Sequence, residues 1–270
     1  MENRTRRPPT VPLVDCHAHL VDPLFDADRD EVLRRARDAG VVATIAVGET
    51  LEDATRNLEL AERHAEILPA AGLYPTHLDR FQAERMERLI RDNRRRLVAI
   101  GEVGLDHWKV REAPEREIQR EIFTRFIRLS NELDLPLNVH SRSAGRHVVA
   151  LLLDEGARRV QLHAFDGKPS SALPAVEAGF FFSIPASVVR SRQKQKLVRR
   201  LPLTCLLLET DSPVLSPEPG QRNEPANVRL ALEAVANLKG LSEDEVAETV
   251  AANARRLFGE RLAATGAEGR

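Results

Sequence analysis

Six residues of this chain are of types that bind divalent metal ions, and they stand at or just beyond the ends of apolar runs: His17, His19, Glu102, His140, His163 and Asp211. The first two belong to Asp15-Cys16-His17-Ala18-His19. Strand side chains alternate, so Asp15, His17 and His19 are expected on one face, with Cys16 and Ala18 on the other. Two imidazoles so placed can reach one ion. A bare His-x-His also arises by chance as loop histidines satisfied by backbone groups, so the pair alone decides nothing. Glu102 follows Ile100-Gly101 and precedes Val103-Gly104, where glycines let ligand or backbone approach closely. A carboxylate there can bridge two cations or, more blandly, make an ordinary ion pair. Leu137–His140 and Val160–His163 each end in one histidine, and two at equivalent ends of neighbouring strands favour ligation over isolated core histidines. Asp211 lies two residues beyond Glu209 and on the same face, farther towards a loop.

Four imidazoles and two carboxylates from five strand ends suit two divalent ions about 3.5–4 Å apart that share a carboxylate. With the histidines neutral, such a site is net positive and attracts an anionic substrate such as a phosphodiester. Imidazole-rich ligation fits Zn, Mn, Fe or Ni better than Ca; the readings carried forward are Zn, Mg or Mn, two ions per chain.

These residues need a scaffold that gathers strand ends. The sequence repeats one rhythm: a short apolar run, a polar turn, an amphipathic helical stretch. Strands are expected at 11–16, 41–47, 67–73, 97–102, 136–140, 160–163, 179–184 and 203–209. Helices are expected at 28–39, 51–64, 82–95, 114–134, 144–155, 170–177, 190–200, 225–238 and 242–257, the last being extra to eight units. Eight alternating pairs in 270 residues predict an α/β fold, a (β/α)8 TIM-like barrel with an extra C-terminal helix, since such barrels run to about 250 residues. Its chemistry sits at the C-terminal strand ends. Residues 11–260 are expected to form one hydrolase domain, with a flexible leader at 1–10 and a flexible tail at 261–270.

Composition narrows the class. Hydrophobic residues make up 42% and charged residues 30%, enough to bury a core. Forty basic residues against forty-one acidic ones give a net charge of −1, which excludes coating nucleic acid through bulk charge but not a local basic cleft. No run approaches the length of a membrane span, and the N-terminus lacks the apolar stretch of a secretory signal. Cys16 and Cys205, both in apolar runs, read as reduced, buried thiols of a cytoplasmic protein.

The segments DCHAHL (15–20), GEVGLD (101–106), NVHSR (138–142), LHAFDG (162–167), ETDSP (209–213), RNEP (222–225) and NARRLFG (253–259) together resemble the TatD family of metal-dependent deoxyribonucleases, within the amidohydrolase-like superfamily. They run in the family's order across nearly the whole chain. LPLNVHSRSAGR and FFSIPASVVRSRQKQKLV look most like the branch holding archaeal TatD proteins and the third animal paralogue. The resemblance implies that His17, His19, Glu102 and Asp211 hold one ion, and Glu102, His140 and His163 the second. One departure is Gly72-Leu73-Tyr74-Pro75, where the family commonly has Gly-x-His-Pro: Tyr74 keeps a hydrogen-bonding tip but cannot be a cation.

The leading expectation is hydrolysis of a phosphodiester in DNA by a metal-activated water, with Glu102 and Asp211 as catalytic groups and Asp211 accepting the proton. Asp15 is expected to orient the imidazoles, and Asn223 to cap the helix that Pro225 opens. Arg142 and Arg222 are candidate phosphate clamps, with surface ion pairs as the alternative. Trp108 is placed to stack on a base or to pack over the barrel mouth. The run Arg190–Lys196 could track a DNA backbone, but such runs are usually solvated helix faces. A second reading keeps the metals and changes the bond to another ester or amide, such as that of D-aminoacyl-tRNA. A third is a non-catalytic binding barrel. No membrane and no obligate protein partner are expected.

Overall fold

The computed structural model describes residues 11–263. Eight parallel strands stand side by side in chain order: β1 (Leu13–Ala18), β2 (Val41–Ala46), β3 (Ile67–Ala71), β4 (Ala99–Gly104), β5 (Leu137–His140), β6 (Val160–His163), β7 (Phe181–Pro185) and β8 (Leu206–Glu209). Just beyond β8 the chain returns to β1. Ala18 bridges Ser212, the His19 N–H donates to the Ser212 carbonyl at 2.8 Å, and the Asp211 N–H donates to the His17 carbonyl at 2.9 Å. The barrel therefore closes through the segments that carry three of the candidate ligands.

Helices α1 (Arg29–Asp38), α2 (Leu51–Arg63), α3 (Arg80–Asp92), α4 (Ala113–Leu133), α5 (Gly145–Asp154), α6 (Pro169–Glu177), α7 (Arg192–Arg200) and α8 (Val228–Lys239) follow the strands in turn. Their starts are written locally. Thr50 and Asp53 form a reciprocal capping box on α2, and Asp79 accepts from the N–H groups of Phe81 and Gln82 at the head of α3. Within α4, Ile122, Phe126 and Leu129 recur at helical spacing and are all buried. Each apolar side chain so buried contributes about 1.5–3 kcal/mol. The extra helix α9 (Glu243–Phe258) packs under β1 and β8, where Ala254, Leu257 and Phe258 join Cys16 and Leu207 in one buried cluster.

Two boundaries differ from the sequence reading in ways that matter. Strand β1 runs to Ala18 rather than 16, so His17 lies inside the ladder. Strand β8 begins at Leu206, because Leu203–Cys205 form a 3-10 turn behind Pro202. A 3-10 turn, Pro225–Asn227, also precedes α8, and Asn223 does not cap it. The Asn223 amide instead donates to the Thr210 and Val214 carbonyls, stapling the loop after β8. Residues 260–263, partly assigned to a tail, form a short helix α10 (Glu260–Ala263). The expected leader and the rest of the expected tail lie outside the described residues.

Candidate metal centre

His17 and His163 stack with ring centroids 3.8 Å apart, and the Nε2 atoms of His17 and His19 are 3.3 Å apart. Glu102 sits between two pairs of imidazoles. Its Oε1 is 2.6 Å from His140 Nδ1 and 2.9 Å from His163 Nε2; its Oε2 is 3.5 Å from His19 Nε2 and 3.7 Å from His17 Nε2. Asp211 Oδ1 lies 3.4 Å from Nε2 of both His17 and His19. All six predicted ligands thus converge, and none but His19 has appreciable exposure. Their donor atoms fall into three overlapping groups: His17, His19 and Glu102; His17, His163 and Asp211; Glu102, His140 and His163. Within each group the atoms lie within 4.8 Å of one another.

Elements impose this arrangement. Gly104 has φ 145°, and a Cβ there would lie 2.1 Å from the His140 carbonyl, so glycine lets β4 press against β5. Asp211 adopts φ 56° just past β8, uncommon for a residue with a side chain and characteristic of functional sites.

Burial disfavours charge on Glu102, Asp211, His19, His140 and His163, yet the attraction among carboxylates and imidazoles overrides it. Desolvation would raise the Glu102 carboxyl, but His163 and His140 hold it well below the ordinary range. The same competition, with hydrogen bonds from His17 and His19, lowers Asp211. Burial would lower His19, but Asp211 and Glu102 carry it up to about 9. A cation is what the carboxylates favour, and a proton on imidazole is one way to supply it. A divalent ion is the other, and it displaces those protons on binding. Oxygen and nitrogen donors buried together, with no Lys or Arg ammonium or guanidinium ion-paired to the two carboxylates among the described residues, fit a divalent metal.

Beneath the ligands lies a second layer that sequence reasoning missed. His17 Nδ1 is 2.8 Å from Asn138 Oδ1, and the Asn138 amide donates to the Cys16 carbonyl. Asp15, expected to orient the imidazoles, hydrogen-bonds neither ring, though its Oδ1 accepts from the His17 N–H at 3.3 Å. Its oxygens accept from the Thr210 N–H and hydroxyl, and burial pushes its carboxyl up to about 8 against those bonds. A register shift between Asp15 and Ala18 breaks the simple alternation that put all three side chains on one face. Asp106 Oδ2 reaches His140 Nε2 at 3.3 Å. Glu209 accepts from the Ala164 N–H and the Ser183 hydroxyl, bracing the backbone after His163. The only sequence signal for Asn138 was its place two residues before His140, on the same strand face.

Above the ligands opens a cavity of about 400 Å³, lined in part by Tyr74, Arg142, Asp166 and Lys194. Tyr74 places its hydroxyl 3.5 Å from Asp106, and burial raises its pKa, keeping it a neutral donor. Trp108 is 45% exposed, and the Arg142 guanidinium lies 3.9 Å from its ring centroid. Arg222 is elsewhere. It forks onto Asp28 at 2.6 and 2.7 Å and lies over Phe25, which ties the loop after β8 to the loop after β1. The ion-pair alternative describes it, and a phosphate clamp there has no free guanidinium.

Comparison with known proteins places these features in company. The model of the TatD related DNase family matches residues 14–259. A human protein named deoxyribonuclease TATDN3 is 48% identical over 261 residues, covering 92% of this chain and 95% of its own length. A Bacillus subtilis protein named as the uncharacterized metal-dependent hydrolase YabD is 35% identical, covering 91% of this chain and 98% of its own. The crystal structure of the TatD homologue YJJV from Escherichia coli superposes with a TM-score of 0.85 at 28% identity, over 91% of this chain and 97% of that one.

Proposed function

This chain belongs to the TatD-related DNase family of metal-dependent hydrolases, and from that premise we propose that it cleaves phosphodiester bonds in DNA with two divalent ions. The observation that carries the reading is the division of Glu102, with one oxygen beside His140 and His163 and the other beside His17 and His19. His17, His19, Glu102 and Asp211 would hold one ion, and Glu102, His140 and His163 the other. Of Zn, Mn and Mg, the four imidazoles favour Zn, Mn takes the mixed set, and Mg, which prefers all-oxygen donors, fits least well. Ions bound there would supply acidification of water and charge neutralisation at a phosphoryl oxygen.

The protein's own groups do the rest. Asp211, just past β8 and two residues beyond Glu209, accepts the proton of the attacking water. Arg142 forks onto a phosphate oxygen, and Trp108, already carrying that guanidinium on its ring, offers its exposed face to a base. Tyr74 donates a neutral hydrogen bond where a histidine would bring a charge. We read residues 11–260 as one hydrolase domain in a reducing, cytoplasmic compartment, supported by two buried free thiols, Cys16 and Cys205.

Metal analysis of the purified protein, paired with cleavage of 3′- and 5′-labelled single strands and of D-aminoacyl-tRNA, tests the reading. About two ions per chain and strand cleavage abolished by chelation are expected. Cleavage of the aminoacyl ester with intact DNA would overturn it.

A further inference from the structure

The basic run Arg190–Lys196 does not lie wholly on a solvated face. Lys194, in the first turn of α7, is 9% exposed and lines the cavity above the candidate metal centre. Its ammonium donates to the carbonyls of Ala164 and Phe165, just after His163. An ammonium has three donors, so these two carbonyls leave one. Among the described residues no carboxylate pairs with Lys194 within ion-pair distance; Glu209, Asp166 and Asp211 act on it only through space. Arg222 and Arg35, which do not line this cavity, are instead neutralised by Asp28 and Glu224.

Holding the loop does not by itself require this charge. The neighbouring Gln193 amide already grips the carbonyls of Phe165 and Gly167. A buried ammonium compensated by carbonyl dipoles alone is short of counter-charge. Resting on the phosphodiesterase reading above, we propose that Lys194 is a second anion-binding cation of the site, donating to a phosphate oxygen of the substrate from the β5–β7 side, where Arg142 also stands. Burial lowers the lysine to about 8, which leaves it charged at neutral pH and gives an arriving phosphate a cation already stripped of water.

The test is binding of a phosphorothioate-linked single strand to the metal-loaded full-length protein, by fluorescence anisotropy across a salt series. Each cation that neutralises a phosphate contributes about 0.7 to the slope of log affinity against log salt for single strands. Lys194→Gln keeps amide donors for the two carbonyls and removes the charge. It is expected to weaken binding several-fold and flatten the slope by about 0.7, whereas Gln193→Ala, which loosens the same loop, leaves the slope unchanged. Lys194→Arg should restore the slope. A folded Lys194→Gln protein with the wild-type slope overturns the inference, even where the wild type cleaves DNA. A wild type that neither binds nor cleaves the strand overturns the phosphodiesterase reading as well. Should Lys194→Gln fail to fold, nitrogen NMR of the wild type decides: with five lysines in the chain, the Lys194 ammonium signal must move on titration with inorganic phosphate, and a static signal overturns the assignment.

Discussion

Asp211 stands at two jobs at once, and one substitution separates them. It lies beside His17 and His19 as a ligand would, and it is the group proposed above to take a proton from water. Asp211→Asn keeps an oxygen donor but loses the basic lone pairs. If proton acceptance is its role, turnover at saturating metal stays about 10²–10⁴-fold low, with both metal positions filled by elemental analysis. Recovery of full rate by added metal would make it a ligand alone. Asn138 makes a different prediction. Its carbonyl oxygen fixes which His17 nitrogen carries hydrogen and so turns Nε2 towards Glu102 and Asp211. Asn138→Ala should cost about 10–100-fold in metal affinity, read by competition with a chromophoric chelator. Unchanged affinity would assign Asn138 to packing only. The convergence of the six candidate ligands was legible in the sequence because each lies at or near the C-terminal end of a strand, and those ends share one barrel face. Their supports were not legible: Asn138, Asp106 and Glu209 reach partners 121, 34 and 45 residues away, and a spacing rule carries no such distance.

At the scale of elements, β4 is where geometry is tightest. The order of strands and helices followed from period and length, since each helix buries one stripe and each strand lies in the barrel wall. What failed was local. The 3-10 turns at Leu203–Cys205 and Pro225–Asn227 look like strand and helix to a periodicity argument, because three residues are too few to show a repeat of their own. The β1 register shift, which turned Asp15 towards Thr210, leaves no mark in residue types. Gly72, following β3, shows how closely the elements hold Glu102. A Cβ there would come within 2.6 Å of the Glu102 carbonyl oxygen, and backbone cannot swing aside as a side-chain tip can. Gly72→Ala should lower stability by about 1–3 kcal/mol, the usual cost of overpacking, and weaken metal binding because Glu102 shifts. Thermal melts and metal titration of the same preparation check both. A normal melt with lost metal would place the effect at Glu102 without a cost to the wall.

For the whole molecule, this layout predicts that metal binding and barrel closure are coupled. β1 and the extension of β8 meet through the backbone of His17, Ala18, His19, Asp211 and Ser212, and the side chains of three of these are candidate ligands. Ions that bind only the folded chain stabilise it by mass action, about 4 kcal/mol when free metal is a thousandfold above its dissociation constant. For a domain of this size one kilocalorie shifts the melting midpoint by about 2–4 °C, so chelation should lower it by about 8–16 °C. The loss should not be uniform. Strands β2 and β3, which form no part of the seam, carry no candidate ligand and are buried among apolar side chains, so their amides should exchange with solvent as slowly as before. Amides at 17–19 and 211–212 should exchange faster once the ions are gone, since the seam then rests on its backbone bonds, the Asp15–Thr210 bonds and the packing of α9. Hydrogen exchange with and without chelator, on protein whose metal content is measured in both states, reads this directly. Protection lost evenly around the barrel would mean that the ions stabilise the fold as a whole. An unmoved midpoint with the metal removed would mean that packing alone holds the seam shut.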